Sequence, residues 1–352
     1  MEVLVSRPTH RISRPLILVL ALIVSLVALS VIYKVRRTQI AAPVAPIAPT
    51  ANLPLPGSIG PSVADAPASR PAGPAEPTSS SVLLASALEP PTTLPSSPLT
   101  ILSDAKAKMD AGNLLAARTQ LNDTLQSGQL DPSDDAAIKA MIQQISQTVV
   151  FGREHFPDDP WGGTCTVESG DSLARIAAAH DTTWELLSRI NGIDPKHLRA
   201  GATIKVVEGP FFGVVDKQKF TLDLYLGGLP GEKSSMYVTS FSVGLGRDQS
   251  TPAGTWMVEP HHKLRHPTYY SPRGEGVIAA DDPKNPLGGY WIGLTGTDGQ
   301  ALGKMSYGIH GTIDPSSIGK QSSMGCIRLR SEDIALVYDL MVEGKSMVVV
   351  KD

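Results

Sequence analysis

The chain has 352 residues, with 31 Lys and Arg against 34 Asp and Glu and a formal net charge of −3. That balance, with no basic patch after the N-terminal region, excludes a nucleic-acid-binding surface. The length admits two or three domains, but 29 prolines and 32 glycines mean that a good part of it is not packed core. Residues 1–14 read as a short tail. Pro15 to Tyr33 is an uncharged apolar run of nineteen residues, long enough for a helix to cross a bilayer core. Lys34, Arg36 and Arg37 follow at once and the small-residue pattern near Ala28 and Ser30 is weak, so an uncleaved membrane anchor is expected rather than a signal peptide. Arg7, Arg11 and Arg14 balance the downstream charges, and orientation does not follow from charge. Residues 34–98 read as a disordered linker: from Ala41 they are Pro, Ala and Ser with few large apolar side chains, too few to offset chain entropy. The prolines favour extended segments.

Residues 99–155 predict a small helical hairpin. Ser103 is a plausible cap and Gly112 a stop, with Leu114, Leu121 and Leu125 on one face. A second start is clearer, Asp131 capping and Pro132 opening a helix with Ile138, Met141, Ile142, Ile145 and Val149 at helical spacing. One pair of helices falls short of a repeat array, and a spacer, a packed unit or a docking surface for an unknown partner all fit.

Residues 162–208 open on Cys165-Thr166-Val167-Glu168-Ser169-Gly170-Asp171-Ser172-Leu173. Thr166 and Val167 suit a strand, Asp171 or Ser172 caps a helix with Leu173, Ile176 and Ala177, and Thr182 with Glu185 makes a capping box for a second helix ending at Asn191-Gly192. Ala202 to Val207 would close the sheet. This stretch resembles the LysM domain, a βααβ module that binds polymers containing N-acetylglucosamine. The resemblance implies sugar contacts from Ser169, Gly170, Asp171 and Asn191.

After Gly209 strand signals dominate. Phe220, Leu222, Leu224 and Leu226 alternate with Thr221, Asp223 and Tyr225, the period-2 pattern of a half-buried strand. Further strands are expected around Met236–Val243, Thr255–Val258, Tyr290–Leu294 and Met347–Val350. A late helix has Ser331 as cap, Glu332 and Asp333 in its first turn, an apolar stripe of Ile334, Val337, Tyr338 and Met341, and Gly344 at its end. The expected fold class is therefore multidomain: a mainly-β sandwich or barrel preceded by the βααβ module, the helical hairpin and an N-terminal transmembrane helix.

Within this region Tyr307-Gly308-Ile309-His310-Gly311-Thr312 precedes Ser323-Met324-Gly325-Cys326-Ile327-Arg328-Leu329, and Cys326 lies sixteen positions after His310. A thiol becomes an effective nucleophile when a held imidazole takes its proton. Gly311 and Gly325 let backbone approach both groups, and amides at Gly325 and Cys326 suit oxyanion stabilisation. The alternative pairing, a Cys165–Cys326 disulfide, would join two apparent domains and remove the nucleophile. Cys165 reads instead as a small buried residue. His261, His262 and His266 do not make a metal site, because Pro260 and Pro267 argue against a helix there.

These residues resemble the L,D-transpeptidase catalytic (YkuD) family over 209–352. Its signature is His-Gly-Thr followed by Ser-His-Gly-Cys-Ile/Val-Arg, and Met324 stands where a second histidine is usual. Gly244-Leu245-Gly246 to Thr251-Pro252-Ala253-Gly254-Thr255 and Asn285-Pro286-Leu287-Gly288-Gly289-Tyr290-Trp291-Ile292-Gly293-Leu294 are similar to two further family segments. The resemblance implies catalytic roles for Cys326, His310, Gly311, Ser323, Gly325 and Arg328, with substrate contacts from Tyr307, Thr312, Tyr269 and Trp291. Thr268–Pro272 would form a lid. No cofactor is implied. The reaction implied is crosslinking of peptidoglycan stem peptides through a cysteine acyl-enzyme with release of D-alanine, with the glycan strands held by the LysM module. L,D-carboxypeptidase action, attachment of a protein to the wall, and a non-catalytic wall-binding role stay open. A wall enzyme works outside the membrane, so residues 1–14 are expected to be cytoplasmic and the bulk of the chain exported to the periplasm or cell wall.

Overall fold

The computed structural model describes residues 98–352. The expected tail, anchor and all but the last residue of the linker lie outside them, and among the described residues no helix is long and apolar enough to cross a membrane.

Three helices, not a hairpin of two, open the described chain: α1 (Pro98–Asp110), α2 (Leu114–Gln126) and α3 (Pro132–Val149). Ser103 is not a cap; α1 begins at Pro98, whose missing N–H is no loss in a first turn, and the Ser103 hydroxyl donates to the Thr100 carbonyl at 2.9 Å inside the helix. Gly112 ends α1 at φ +79°, a left-handed conformation that glycine adopts without strain. The Asp131 carboxylate accepts the N–H groups of Ser133 and Asp134 and caps α3.

The apolar stripes of these helices bury Leu121, Ile138, Ile142 and Ile145 in one cluster with Val214, Tyr225 and Tyr237, which belong to the β-sheet described below. The helices are therefore packed on the sheet. Two buried polar anchors hold them. The Arg118 guanidinium donates to both Asp159 oxygens, at 2.7 and 3.1 Å. The Lys205 ammonium donates to the Val149 and Gly152 carbonyls at 2.6 and 2.7 Å, satisfying groups that the end of α3 leaves unpaired.

Next comes a βααβ unit of β1 (Gly162–Thr166), α4 (Leu173–Ala179), α5 (Trp184–Asn191) and β2 (Thr203–Val207), with β1 and β2 antiparallel. The Ser172 hydroxyl caps α4 by accepting the Arg175 N–H at 3.2 Å. The cap of α5 is Thr183, which accepts the Leu186 N–H at 3.0 Å, and the expected box of Thr182 with Glu185 does not form. Glu185 is instead buried toward Arg265, 4.0 Å away. Gly192 ends α5 in the left-handed conformation, as its sequence position predicts.

The remaining chain builds an eight-stranded mixed sheet. Its strands are β3 (Phe211–Asp216), β4 (Thr221–Leu226), β5 (Met236–Ser242), β7 (Gly254–Arg265), β10 (Tyr290–Gly296), β11 (Tyr307–His310), β13 (Ile327–Arg328) and β14 (Met347–Lys351), in the order β13-β11-β10-β7-β14-β3-β4-β5. Short pairs β6 (Leu245–Gly246) with β12 (Gln321–Ser323), and β8 (Tyr269–Tyr270) with β9 (Val277–Ile278), flank it. One face is closed by α6 (Ser331–Leu340), whose Ile334, Val337 and Leu340 join Trp256, Ile292, Leu294 and Ile309 in the main core. Ser331 is the first residue of α6 rather than its cap, and the preceding Arg330 makes no side-chain cap. The alternation read in β4 predicts one wet face, yet Leu222 to Leu226 are all buried, because α3 covers the other side. Asp223 is matched there by the Lys139 ammonium at 2.8 Å and the Ser240 hydroxyl at 2.6 Å.

The βααβ unit is tied to the sheet domain through α6. Arg189 donates to Asp339 from Nε at 2.8 Å, Arg265 reaches the other Asp339 oxygen at 3.0 Å, and the Thr183 hydroxyl bonds the Asp339 carbonyl.

Candidate active site

Two adjacent strands position the chemistry. β11 ends on His310, and β13, parallel to it, begins one residue after Cys326, with Ile309 opposite Ile327 and His310 opposite Arg328. Cys326 therefore sits at the level of Gly308. The turn before Cys326 is shaped by Ser323, whose hydroxyl accepts the Gly325 N–H at 3.1 Å and donates to the Cys326 carbonyl at 2.6 Å. Gly325 has φ +127°, and a Cβ there would lie 2.7 Å from the Tyr307 ring and 2.8 Å from the Ser250 carbonyl. Only glycine fits. The Gly325 amide is thus committed to Ser323, whereas the N–H of Cys326 donates to no atom of the described residues and remains for a ligand oxygen.

The imidazole of His310 is 5% exposed and its Nδ1 lies 2.6 Å from the Gly311 carbonyl. A carbonyl can only accept, so Nδ1 carries the proton and Nε2 of the neutral ring is left as the acceptor. Burial lowers the His310 pKa to about 4, against the opposing bond to Gly311, and the Arg328 charge adds to the lowering. Burial likewise pushes the Cys326 thiol up, partly offset by the Gly308 backbone and Arg328. The resting pair is neutral imidazole and neutral thiol.

Both groups line one cleft of about 730 Å³. Ser323, Arg328, Tyr307, Tyr269 and Trp291 line it as well, together with Thr268–Pro272 and the exposed Met324. The β8–β9 hairpin thus stands at the cleft, where a lid was expected. His262 also reaches the cleft, 2.7 Å from Glu259. Among the described residues no three His, Cys, Asp or Glu side chains gather as metal ligands, and both cysteines are free.

Several predicted site residues have other duties. Thr312 is 5% exposed and does not reach the cleft; its hydroxyl accepts the Asp314 N–H at 3.0 Å, holding the turn after β11. Gly311 is buried against Gly288, where a Cβ would lie 2.8 Å from the Gly288 carbonyl. Asn191 is 8% exposed, and its amide bridges α5 to β2 through Leu187, Lys205 N–H and Lys205 carbonyl, so a direct contact to sugar is not open to it. Ser169 and Gly170 are exposed, and Asp171 accepts the Glu168 N–H at 2.8 Å while pairing with Arg175.

Sequence reasoning assigned no role to Gly308 or Thr251. Gly308 leaves no room for a Cβ beside the Trp291 ring, 2.7 Å away. The Thr251 hydroxyl accepts the Gly246 N–H at 2.8 Å and donates to the Gly325 carbonyl at 2.9 Å, bracing the Cys326 turn from behind. Both lie inside segments already singled out, and only packing reveals what they do.

The comparisons match this geometry. Residues 211–350 match the model of the L,D-transpeptidase catalytic domain (YkuD), and residues 165–207 that of the LysM domain. The chain carries an L,D-transpeptidase catalytic domain behind a LysM domain. A Bacillus licheniformis protein named for L,D-transpeptidase YkuD is 29% identical over 51% of this chain and 93% of its own length. Another from Bacillus subtilis, YqjB, is 36% identical over 32% of this chain and 59% of its own. A solved L,D-transpeptidase from Mycobacterium smegmatis is 21% identical, covering 43% of this chain and 64% of that one at a TM-score of 0.28. The L,D-transpeptidase match thus begins at β3 and contains Cys326, His310 and Arg328, while the LysM match coincides with the βααβ unit.

Proposed function

We propose that this protein is a wall-bound peptidoglycan L,D-transpeptidase acting outside the cytoplasm. The observation that carries the reading is the tautomer of His310, fixed by the 2.6 Å bond to the Gly311 carbonyl, which leaves Nε2 as a base in the same cleft as Cys326. The donor is a stem peptide whose third residue is a diamino acid and whose fourth is D-alanine. His310 takes the thiol proton as Sγ attacks the carbonyl between those residues, and the Cys326 N–H supports the oxyanion. The C–N bond breaks, D-alanine leaves with the proton returned by His310, and a thioester remains. The side-chain amine of a second stem then attacks the thioester, releasing the thiol and closing the crosslink.

Arg328 supports this reading through its place at the cleft, where its guanidinium charge suits the substrate carboxylate. The LysM unit, docked through Asp339, would hold the glycan strand, and the segment 15–33 would tether the whole to the membrane. The test is mass spectrometry of the protein incubated with disaccharide-tetrapeptide, beside Cys326→Ala. Dimer with loss of D-alanine in the wild type alone is expected. Tripeptide without dimer would make the enzyme an L,D-carboxypeptidase, and no product from folded protein would overturn the enzymatic reading for this substrate.

A further inference from the structure

Residues 209–352 contain four glutamines, Gln218, Gln249, Gln300 and Gln321. All four line a single cavity of about 510 Å³ that shares no lining residue with the Cys326 cleft. They come from four separate places in the chain: the β3–β4 turn, the turn after β6, the turn after β10, and β12. Side chains scattered over a hundred positions do not gather by local sequence. The fold brings them together.

Their chemistry is uniform. Each amide offers two donors and an acceptor with two lone pairs, and none of the four side chains bonds to an atom of the described residues. The cavity's charges are self-compensated, because the Lys217 ammonium lies 2.5 Å from the Asp352 carboxylate. Neither charged side chain of the lining is left without a counter-charge. A neutral molecule rich in hydroxyl and amide groups would find many hydrogen-bond partners, and the Phe220 ring supplies an apolar surface of the kind a sugar's C–H face packs on. Gln249 and Phe220 also hold left-handed backbone, at φ +60° and +53°, a strain that clusters at ligand sites.

We infer that this cavity is a second saccharide-binding site, selective for a neutral, hydroxyl- and acetamido-bearing sugar. It is distinct from both the Cys326 cleft and the LysM unit. Its position links it to the reaction centre through the chain without making it part of it: Gln321 is two residues before Ser323 on β12, and Gln249 two before Thr251, the two residues that brace the Cys326 turn.

The full chain, labelled with ¹⁵N at glutamine side-chain amides, is titrated with N-acetylglucosamine tetramer, with a glucuronate oligomer, and with a free stem tetrapeptide. Signals are assigned by the single variants Gln218→Ala, Gln249→Ala, Gln300→Ala and Gln321→Ala. The four cavity amides are expected to shift together with the tetramer and to stay still with the other two ligands. Each alanine variant should weaken the shift of the remaining three by about fivefold in apparent affinity, the worth of one or two neutral hydrogen bonds. Binding at the LysM unit does not confuse the reading, since the reporters sit in the cavity. Still signals with the tetramer, or a response to the tetrapeptide or glucuronate alone, would overturn the assignment. The assay does not depend on turnover, so it stands whether or not the transpeptidation test succeeds.

Discussion

Trp291 and His310 face each other across β10 and β11, and their rings stack at 5.8 Å between centroids and 22° between planes. The indole is thus one wall of the dry pocket that keeps the imidazole neutral. Trp291→Ala admits water to that wall, and the His310 pKa should rise from about 4 toward its ordinary value. Imidazole NMR against pH reads this directly, and Trp291→Phe should keep most of the depression. No change in the alanine variant would mean that the indole is not what excludes water.

The same depression makes folding sensitive to acid. The folded imidazole titrates near 4 and the unfolded one near 6.5, so between those values the unfolded chain binds more protons and stability rises with pH. The contribution is complete above about 6.5 and is lost as pH falls toward 4. Urea midpoints measured across that window should fall less steeply for His310→Gln than for the wild type. Parallel curves would refute the buried neutral assignment.

Ser323 holds the nucleophile's turn by two bonds from one hydroxyl. Ser323→Ala frees the Gly325 amide and the Cys326 carbonyl, with a loss of about 1 kcal/mol in stability and a roughly tenfold or greater fall in the rate of acyl-enzyme formation. Ser323→Thr keeps the hydroxyl and should recover part of that rate. Single-turnover mass spectrometry of the Cys326 adduct separates the two variants.

Asp339 is 7% exposed at its side chain and receives Arg189 and Arg265, which are 44% and 41% exposed. Removing one buried partner is costly, but the half-exposed cations recover solvation, so Asp339→Ala should destabilise by about 2 kcal/mol. The sign to look for is splitting: calorimetry should show the LysM unit melting apart from the catalytic domain. A single lowered transition would show that other contacts suffice to couple them.

The catalytic motif was legible because its residue types are rare in combination, and strands such as β4, β5 and β14 were legible from alternation and turns. Burial was harder to read. Asp223 and Tyr225 are polar-face residues by pattern but lie under α3, because a helix packed from elsewhere in the chain changes which face is wet. Thr182 reads as a cap because a glutamate stands three residues on, yet the cap is Thr183, and Glu185 is buried toward Arg265 in a domain contact that spacing cannot express. Asn191 and Thr312 looked like contact residues and proved to be braces for the same kind of reason: the partner groups lie far along the chain or in a turn.

The Asn122 side chain pairs with β5 as a further strand would, accepting the Tyr237 N–H at 3.0 Å and donating to the Ser235 carbonyl at 3.1 Å. A fragment trimmed to the limits of the catalytic-domain match would strip α2 and α3 away, baring Tyr225 and Tyr237 and leaving an unguarded border open to self-association. The smallest piece that behaves well in solution should therefore start near Pro98, more than a hundred residues before the match begins.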